Sequence, residues 1–278
     1  GHHTYEKDLA VRDTSIYDLA SITKVAATML PVMRFYELGL FQPDQTLGQS
    51  LPRLQGSNKA VLKWREVLTH QSGLQAWIPF YRYTLNEEGL ADSNYCYAPN
   101  SFFEVEVADG LYAHPGLHDT IFEIMDASDL RQRGEYVYSD LGFLYLKEWV
   151  EQYLRVPFEE YLQREFYRKM DLHHTLFRPL EAYPHATIVP TEYDDYFRHQ
   201  LVHGYVHDPA AAMLGGVAGH AGLFSTATEM TALMQMLLNG GHYGGHRFFM
   251  PSTVRRFTSQ QFAGNRKGMG FDKPEMDP

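Results

Sequence analysis

Cysteine is nearly absent: Cys96 is the only one among 278 residues. A single thiol excludes an internal disulfide and any multi-cysteine metal site. It suits the cytoplasm, and equally a periplasmic enzyme that uses no disulfides. Long apolar runs are missing too, since none approaches the roughly 18 to 20 residues that span a bilayer. Positive charge is in deficit, with 24 Lys and Arg against 34 Asp and Glu and a net charge of -10. That balance argues against nucleic acid or an anionic membrane surface as partner. No methionine opens the chain. It starts Gly1-His2-His3, as a processed or excised piece does, so the lack of a visible signal peptide carries no information about compartment.

What is present is an ordinary globular composition, 44% hydrophobic and 21% charged, able to bury a core. Without repeats or a low-complexity linker, the chain reads as a single domain. Residues 1–15 read as the end of a β-hairpin. From Asp18 to Leu38 an apolar stripe (Leu19, Ile22, Ala26, Leu30, Met33, Leu38) predicts a helix stopped by Gly39, with a kink near 27–33 imposed by Pro31. Short helices are expected over 63–70, 141–156, 158–169, 226–238 and 252–261, the fourth capped by Thr226 or Ser225. Residues 77–133 are aromatic and resist division, and 178–218 read as a long ordered loop region.

Ser21-Ile22-Thr23-Lys24 carries the chemistry. Residues three apart on a helix share a face, so the Ser21 hydroxyl and the Lys24 amine would project together. A serine hydroxyl needs a base to become a nucleophile, and a lysine can serve if burial or nearby cations lower its pKa from about 10.4. N–H groups at a helix start favour negative charge developing beside the serine. Two further segments add weight. Tyr138-Ser139-Asp140 turns into the apolar run Leu141-Gly142-Phe143-Leu144, and Gly215-Gly216-Val217-Ala218-Gly219-His220-Ala221-Gly222 leads into Leu223-Phe224-Ser225-Thr226.

With these residues the chain resembles the serine β-lactamase and penicillin-binding protein superfamily, most closely its class C, esterase and D-aminopeptidase branch. The likeness runs through 17–39, 67–74, 138–175 and 204–241. It implies an α+β, β-lactamase/transpeptidase-like fold: an antiparallel sheet flanked by helices plus a mainly helical subdomain. That sheet is expected to be incomplete in this sequence, because few residues precede Ser21 and no strand-rich stretch follows. The expected layout is one domain over 1–278, with 1–39 and 216–278 as its α/β part. Residues 40–215 are expected to form the helical subdomain with an insertion at 75–135, in a domain expected to be truncated at both ends.

The resemblance implies a serine acyl-enzyme mechanism without a cofactor or metal. Ser21 attacks an amide, ester or β-lactam carbonyl, Lys24 and Tyr138 share the base and acid roles, and the Ser21 N–H supplies half an oxyanion hole. Asp140 and His220 are the substrate-side candidates. The implied substrate is a cell-wall peptide or related small molecule, and the implied location is the periplasm or cell envelope. Some relatives follow a glycoside hydrolase domain, so a fusion is expected as well.

Two departures qualify this. The family usually has asparagine where Asp140 stands; an ionised aspartate accepts hydrogen bonds but cannot donate one to a substrate carbonyl. A carboxylate beside Lys24 would also hold that lysine protonated. The family's third motif, Lys-Thr-Gly or His-x-Gly on a strand, is expected after Gly268-Met269-Gly270-Phe271, where the chain stops. A non-catalytic binding protein is therefore one rival. The other is a metal-dependent hydrolase using His199, His203 and His207, whose spacing of four resembles a zinc-protease helix. Gln200 stands where that chemistry needs a glutamate, and Gly204 weakens the helix.

Overall fold

The strand Leu223–Ser225 is buried along its whole length and pairs antiparallel on both sides, with Tyr17–Asp18 and with Leu176–Phe177. A strand covered on both faces carries no alternation, which is why Leu223 and Phe224 are both apolar. Gly222 leads into it at φ +109°, and a Cβ there would meet the Gly216 carbonyl oxygen at 2.3 Å. Only glycine fits that approach.

A computed structural model describes residues 1–87 and 89–274. Glu88, in the expected insertion, and 275–278, at the end of the expected α/β part, lie outside the described residues. The chain divides into two compact units. The first takes Gly1–Thr23, Pro79–Glu123 and Asp171–Thr231; the second takes Lys24–Ile78, Ile124–Met170 and the chain from Ala232.

In the first unit the N-terminal hairpin expected over 1–15 is reduced to one antiparallel bridge between His2 and Ala10. The aromatic stretch that resisted division forms a small sheet in the order Tyr95–Cys96, Leu111–Ala113, Val105–Ala108, all antiparallel. Within 178–218, expected as loop, the strands Glu192–Asp194 and Gln200–Val202 form a hairpin. Inside its turn Arg198 pairs with Asp194 at 2.7 Å, both side chains fully buried. Arg198 also donates to the carbonyls of Val206 and His207, and Asp194 accepts from the N–H groups of Tyr196 and Phe197. A buried pair with such extra partners holds a loop that has no apolar stripe of its own.

The second unit is mainly helical. Its first helix runs as a widened π-turn over Lys24–Thr28 and then as α-helix over Met29–Glu37. The kink expected from Pro31 takes this form: proline withholds the N–H that would bond to the Ala27 carbonyl, and the turns before it open. The helix starts later than expected because Asp18 belongs to a strand. Leu141–Glu151 is buried almost all round, and a Cβ on Gly142 would lie 2.4 Å from Val67 Cγ1. Trp149 packs edge-on to Phe35 and Phe41, with ring centroids 5.9 and 5.3 Å away. The Tyr167 hydroxyl donates to the Ala26 carbonyl at 2.8 Å, tying the later helix to the first.

Candidate active site

In the first unit, the turn after the strand Tyr17–Asp18 carries Ser21. Leu19 N–H donates to the Leu223 carbonyl at 2.9 Å, and Leu223 N–H donates to Thr23 Oγ1 at 3.1 Å. The turn is thus stapled at both ends to the central strand. Asp18 fixes its middle: Oδ1 accepts from Ala20 N–H and Oδ2 from His207 N–H, each at 2.7 Å. Ala20 adopts φ +43°, a left-handed conformation that costs an L-residue about 1–2 kcal/mol. Ser21 lies exposed on this turn. Burial pushes the Asp18 carboxyl up, with the nearby Asp208 charge adding to it, against the two N–H donors.

His220 lies in the same unit with 3% of its surface exposed. Its Nε2 meets Asp208 Oδ1 at 2.8 Å, and the same oxygen accepts from Ala211 N–H to cap the short helix Pro209–Met213. Against the cost of desolvation, the His220 ring and that N–H hold its carboxyl well below the usual range.

The second unit gathers Lys24, Tyr138 and Asp140. Lys24 is 3% exposed, and its Nζ sits 2.6 Å from Asp140 Oδ1. Nζ also lies 4.9 Å from the Tyr138 ring centroid and 5.6 Å from that of Phe143. The carboxylate feared from the sequence is indeed on the lysine. Tyr138 is 40% exposed. The turn that presents it is pinned residue by residue. Val137 N–H donates to the His70 carbonyl at 2.8 Å and Asp140 N–H to the Ala76 carbonyl at 2.9 Å. Between them Ser139 N–H donates to His70 Nδ1 at 3.0 Å, and Ser139 Oγ to the Gln75 carbonyl at 2.6 Å.

His70 was missed by motif reading, although it stands in Thr69-His70-Gln71-Ser72-Gly73, a stretch that carries part of the resemblance. Its ring centroid is 4.5 Å from that of Tyr138 at an angle of 35°. Burial, followed by the charges of Lys267 and Lys24, pushes its pKa down to about 3. Asp18 was also missed; it was read as a helix start. Neither leaves a mark in the sequence: the left-handed backbone of His70, φ +58°, and of Ala20, φ +43°, belongs to the folded chain.

The three spaced histidines do not converge. His199 turns the hairpin at φ +53°. His203 Nε2 lies 2.9 and 2.8 Å from the carbonyls of His185 and Ile188, and His207 Nε2 lies 3.9 Å from Glu192. Their spacing falls on a hairpin and a loop rather than one helix face. Among the described residues no group of three or more His, Cys, Asp or Glu side chains is placed to hold a metal ion.

A cavity of about 490 Å³ opens in the first unit, lined among others by Glu106, Arg178, Tyr205, Gly216 and Phe224. Three of its charged groups already have partners: Glu106 accepts from the hydroxyls of Tyr112 and Tyr205, and Arg178 pairs with Glu181 at 3.1 Å. None of Ser21, Lys24, Tyr138, Asp140 and His220 lines it.

A family model described as Beta-lactamase matches residues 1–274, and the chain belongs to that family. The likeness of its motifs to the serine β-lactamase and penicillin-binding protein superfamily is borne out at the level of that family. Among curated proteins it is similar to one from Escherichia coli K12, provisionally named a D-alanyl-D-alanine carboxypeptidase. The two are 29% identical over 286 positions, covering 96% of this chain and 60% of the relative. A namesake from Salmonella typhimurium LT2 is 29% identical, covering 92% and 59%. The chain therefore spans about 60% of the length of these curated relatives.

Solved structures share the fold. The β-lactamase from Sulfitobacter sp. EE-36 superposes with a TM-score of 0.63 at 17% identity, covering 97% of this chain and 62% of that one. The octameric penicillin-binding protein homologue from Pyrococcus abyssi gives 0.65 at 16%, covering 97% and 56%. FmtA from Staphylococcus aureus gives 0.66 at 15%, covering 99% and 64%. The α+β, β-lactamase/transpeptidase-like fold implied by the motifs is the fold of this chain. No helix among the described residues is long and apolar enough to cross a membrane.

Proposed function

We propose that this chain is the catalytic part of a serine hydrolase that opens a carbonyl substrate through an acyl-enzyme, with a cell-wall peptide as its substrate class. The carrying observation is Lys24: a buried amine 2.6 Å from Asp140 and 4.9 Å from the Tyr138 ring, three positions after the exposed Ser21. Ser21 Oγ is the nucleophile and its N–H an oxyanion donor. A Tyr138 phenolate, formed beside the positive charge of Lys24, takes the serine proton, and the hydroxyl so formed returns it to the leaving group. Attack makes the Ser21 Oγ–carbon bond and expels the amine or alcohol; water then releases the acid and restores the serine.

Asp140 is the substrate-side residue of this reading. His220, buried with its Nε2 on Asp208, is the second substrate-side residue of this reading. The names of the curated relatives favour the peptide substrate and a cell-envelope location. We keep the single-domain layout over 1–278, and a glycoside hydrolase on the same polypeptide, as parts of the same proposal.

The test is covalent labelling. A fluorescent fluorophosphonate or penicillin should label the wild-type protein on Ser21 and leave Ser21→Ala unlabelled. The rival reading, a binding protein that keeps the fold, is favoured by Asp140 standing on Lys24. Full-length wild-type protein that neither probe labels would establish that rival.

A further inference from the structure

We propose that His70 is a positioning residue that aims Tyr138 and Asp140 by holding the Ser139 backbone between them. The inference rests on the proposed role of Tyr138. Three observations carry it.

The first is the direction of the bond. Ser139 N–H donates to His70 Nδ1 at 3.0 Å, so Nδ1 holds its lone pair toward Ser139 and the neutral ring carries its proton on Nε2. A protonated ring would have two N–H groups and no acceptor, and the turn would lose this anchor. The surroundings keep it neutral. The residue is 5% exposed, and the Lys267 and Lys24 charges disfavour a positive charge on the ring, with Asp272 opposing them. Tyr136 and Tyr138 face it too, 6.1 and 4.5 Å away between ring centroids.

The second is that the His70 backbone serves the same turn: its carbonyl accepts from Val137 N–H at 2.8 Å. One residue therefore fixes the positions on either side of Tyr138. The adjacent Gln75 and Ala76 carbonyls fix Ser139 Oγ and Asp140 N–H. Tyr138 and Asp140 flank Ser139 on the chain, so turning the Ser139 peptide would move both the phenol and the carboxylate.

The third is the conformation. His70 sits at φ +58°, where a non-glycine residue is held only when its surroundings over-determine it. The backbone bends so that both the carbonyl and the ring reach the Val137–Ser139 segment.

Two substitutions separate the roles without straining the backbone. His70→Gly accepts positive φ freely and removes the ring. His70→Asn also tolerates left-handed backbone, and its Oδ1 stands as many bonds from the main chain as Nδ1 does. Turnover of p-nitrophenyl acetate should be measured per fluorophosphonate-titrated site. The expectation is a kcat lowered about 100-fold in H70G with KM changed less than about threefold, and most of that loss recovered in H70N. Equal loss in both variants, or wild-type kcat in H70G, would overturn the proposal.

Failure of the catalytic reading looks different, because the wild-type protein then goes unlabelled. In that event the ¹³Cζ resonance of Tyr138, assigned with Tyr138→Phe, still decides. It should move in H70G and return toward its wild-type position in H70N; a resonance unmoved in H70G would refute the positioning role without any catalysis.

Discussion

Two short turns present the proposed chemistry, and each hangs on one polar side chain that accepts main-chain N–H groups. At the serine turn the acceptor is the Asp18 carboxylate, bonded to Ala20 and His207 at 2.7 Å each. At the tyrosine turn it is neutral His70, bonded to Ser139 at 3.0 Å. Burial acts on the two in opposite electrical senses: it pushes the Asp18 carboxyl up and the His70 imidazole down, disfavouring charge in both cases. Asp18 offers two oxygens and so spans strand and turn, whereas His70 offers one nitrogen and adds its own carbonyl. A carboxylate can brace two segments; an imidazole braces one and needs the main chain's help.

The comparison breaks most completely at the serine itself. Ser21→Ala removes the nucleophile and leaves both braces intact, so turnover should fall at least about 10⁴-fold with an unchanged melting temperature. Loss of melting temperature together with activity would make Ser21 part of its turn's scaffold. Next in size is Asp18→Ala, which strands two N–H donors and releases the left-handed Ala20. Losing two charge-assisted hydrogen bonds should cost about 3 kcal/mol, read as a shifted urea midpoint. Asp18→Asn keeps one acceptor oxygen and should recover about half of it. If Asp18→Ala unfolds no more easily than wild type, the brace is illusory.

The opposite responses to burial give opposite pH slopes. The folded pKa of His70 is about 3, against an unfolded value of about 6.5. Between those values the unfolded chain binds more protons, so stability rises with pH: this contribution is complete above about 6.5 and lost by about 3. For Asp18 the folded pKa is raised, so just above its unfolded value the folded chain binds more protons and stability falls as pH rises. Acidification from pH 7 to pH 4 should therefore cost wild type more than His70→Asn, by on the order of 3 kcal/mol. Urea unfolding of both proteins at the two pH values measures the difference; parallel losses would show that His70 already takes a proton in the folded protein.

Much of this was legible in the residues. The ordered motifs at Ser21, Lys24 and Tyr138 led to the right family and fold, because a nucleophile turn and its following helix are local patterns. Pro31 announced a distorted helix, although not the π-turn that absorbs it. The braces were not legible. Asp18 bonds to His207 and Ser139 to His70, across separations that no spacing rule covers, and a histidine accepting an N–H looks like any other histidine in a sequence. Residues 192–202 read as loop because their strand pairing is organised by the buried Asp194–Arg198 pair, and a polar organiser leaves no apolar period to find.

The smallest predicted effect lies where the tyrosine turn meets Lys24. Asp140 holds Nζ at 2.6 Å, and a carboxylate has no N–H to offer a substrate's acylamido carbonyl. It does offer a negative charge that a free amine on the substrate would meet favourably. Asp140→Asn keeps the shape, an acceptor for Nζ and the main-chain bond to Ala76, while adding two donors and removing the charge. The ratio of kcat/KM on N-acylated over free-amine D-alanyl peptides should rise about tenfold, a change of about 1.4 kcal/mol. An unchanged ratio would show that the Asp140 charge acts on Lys24 alone.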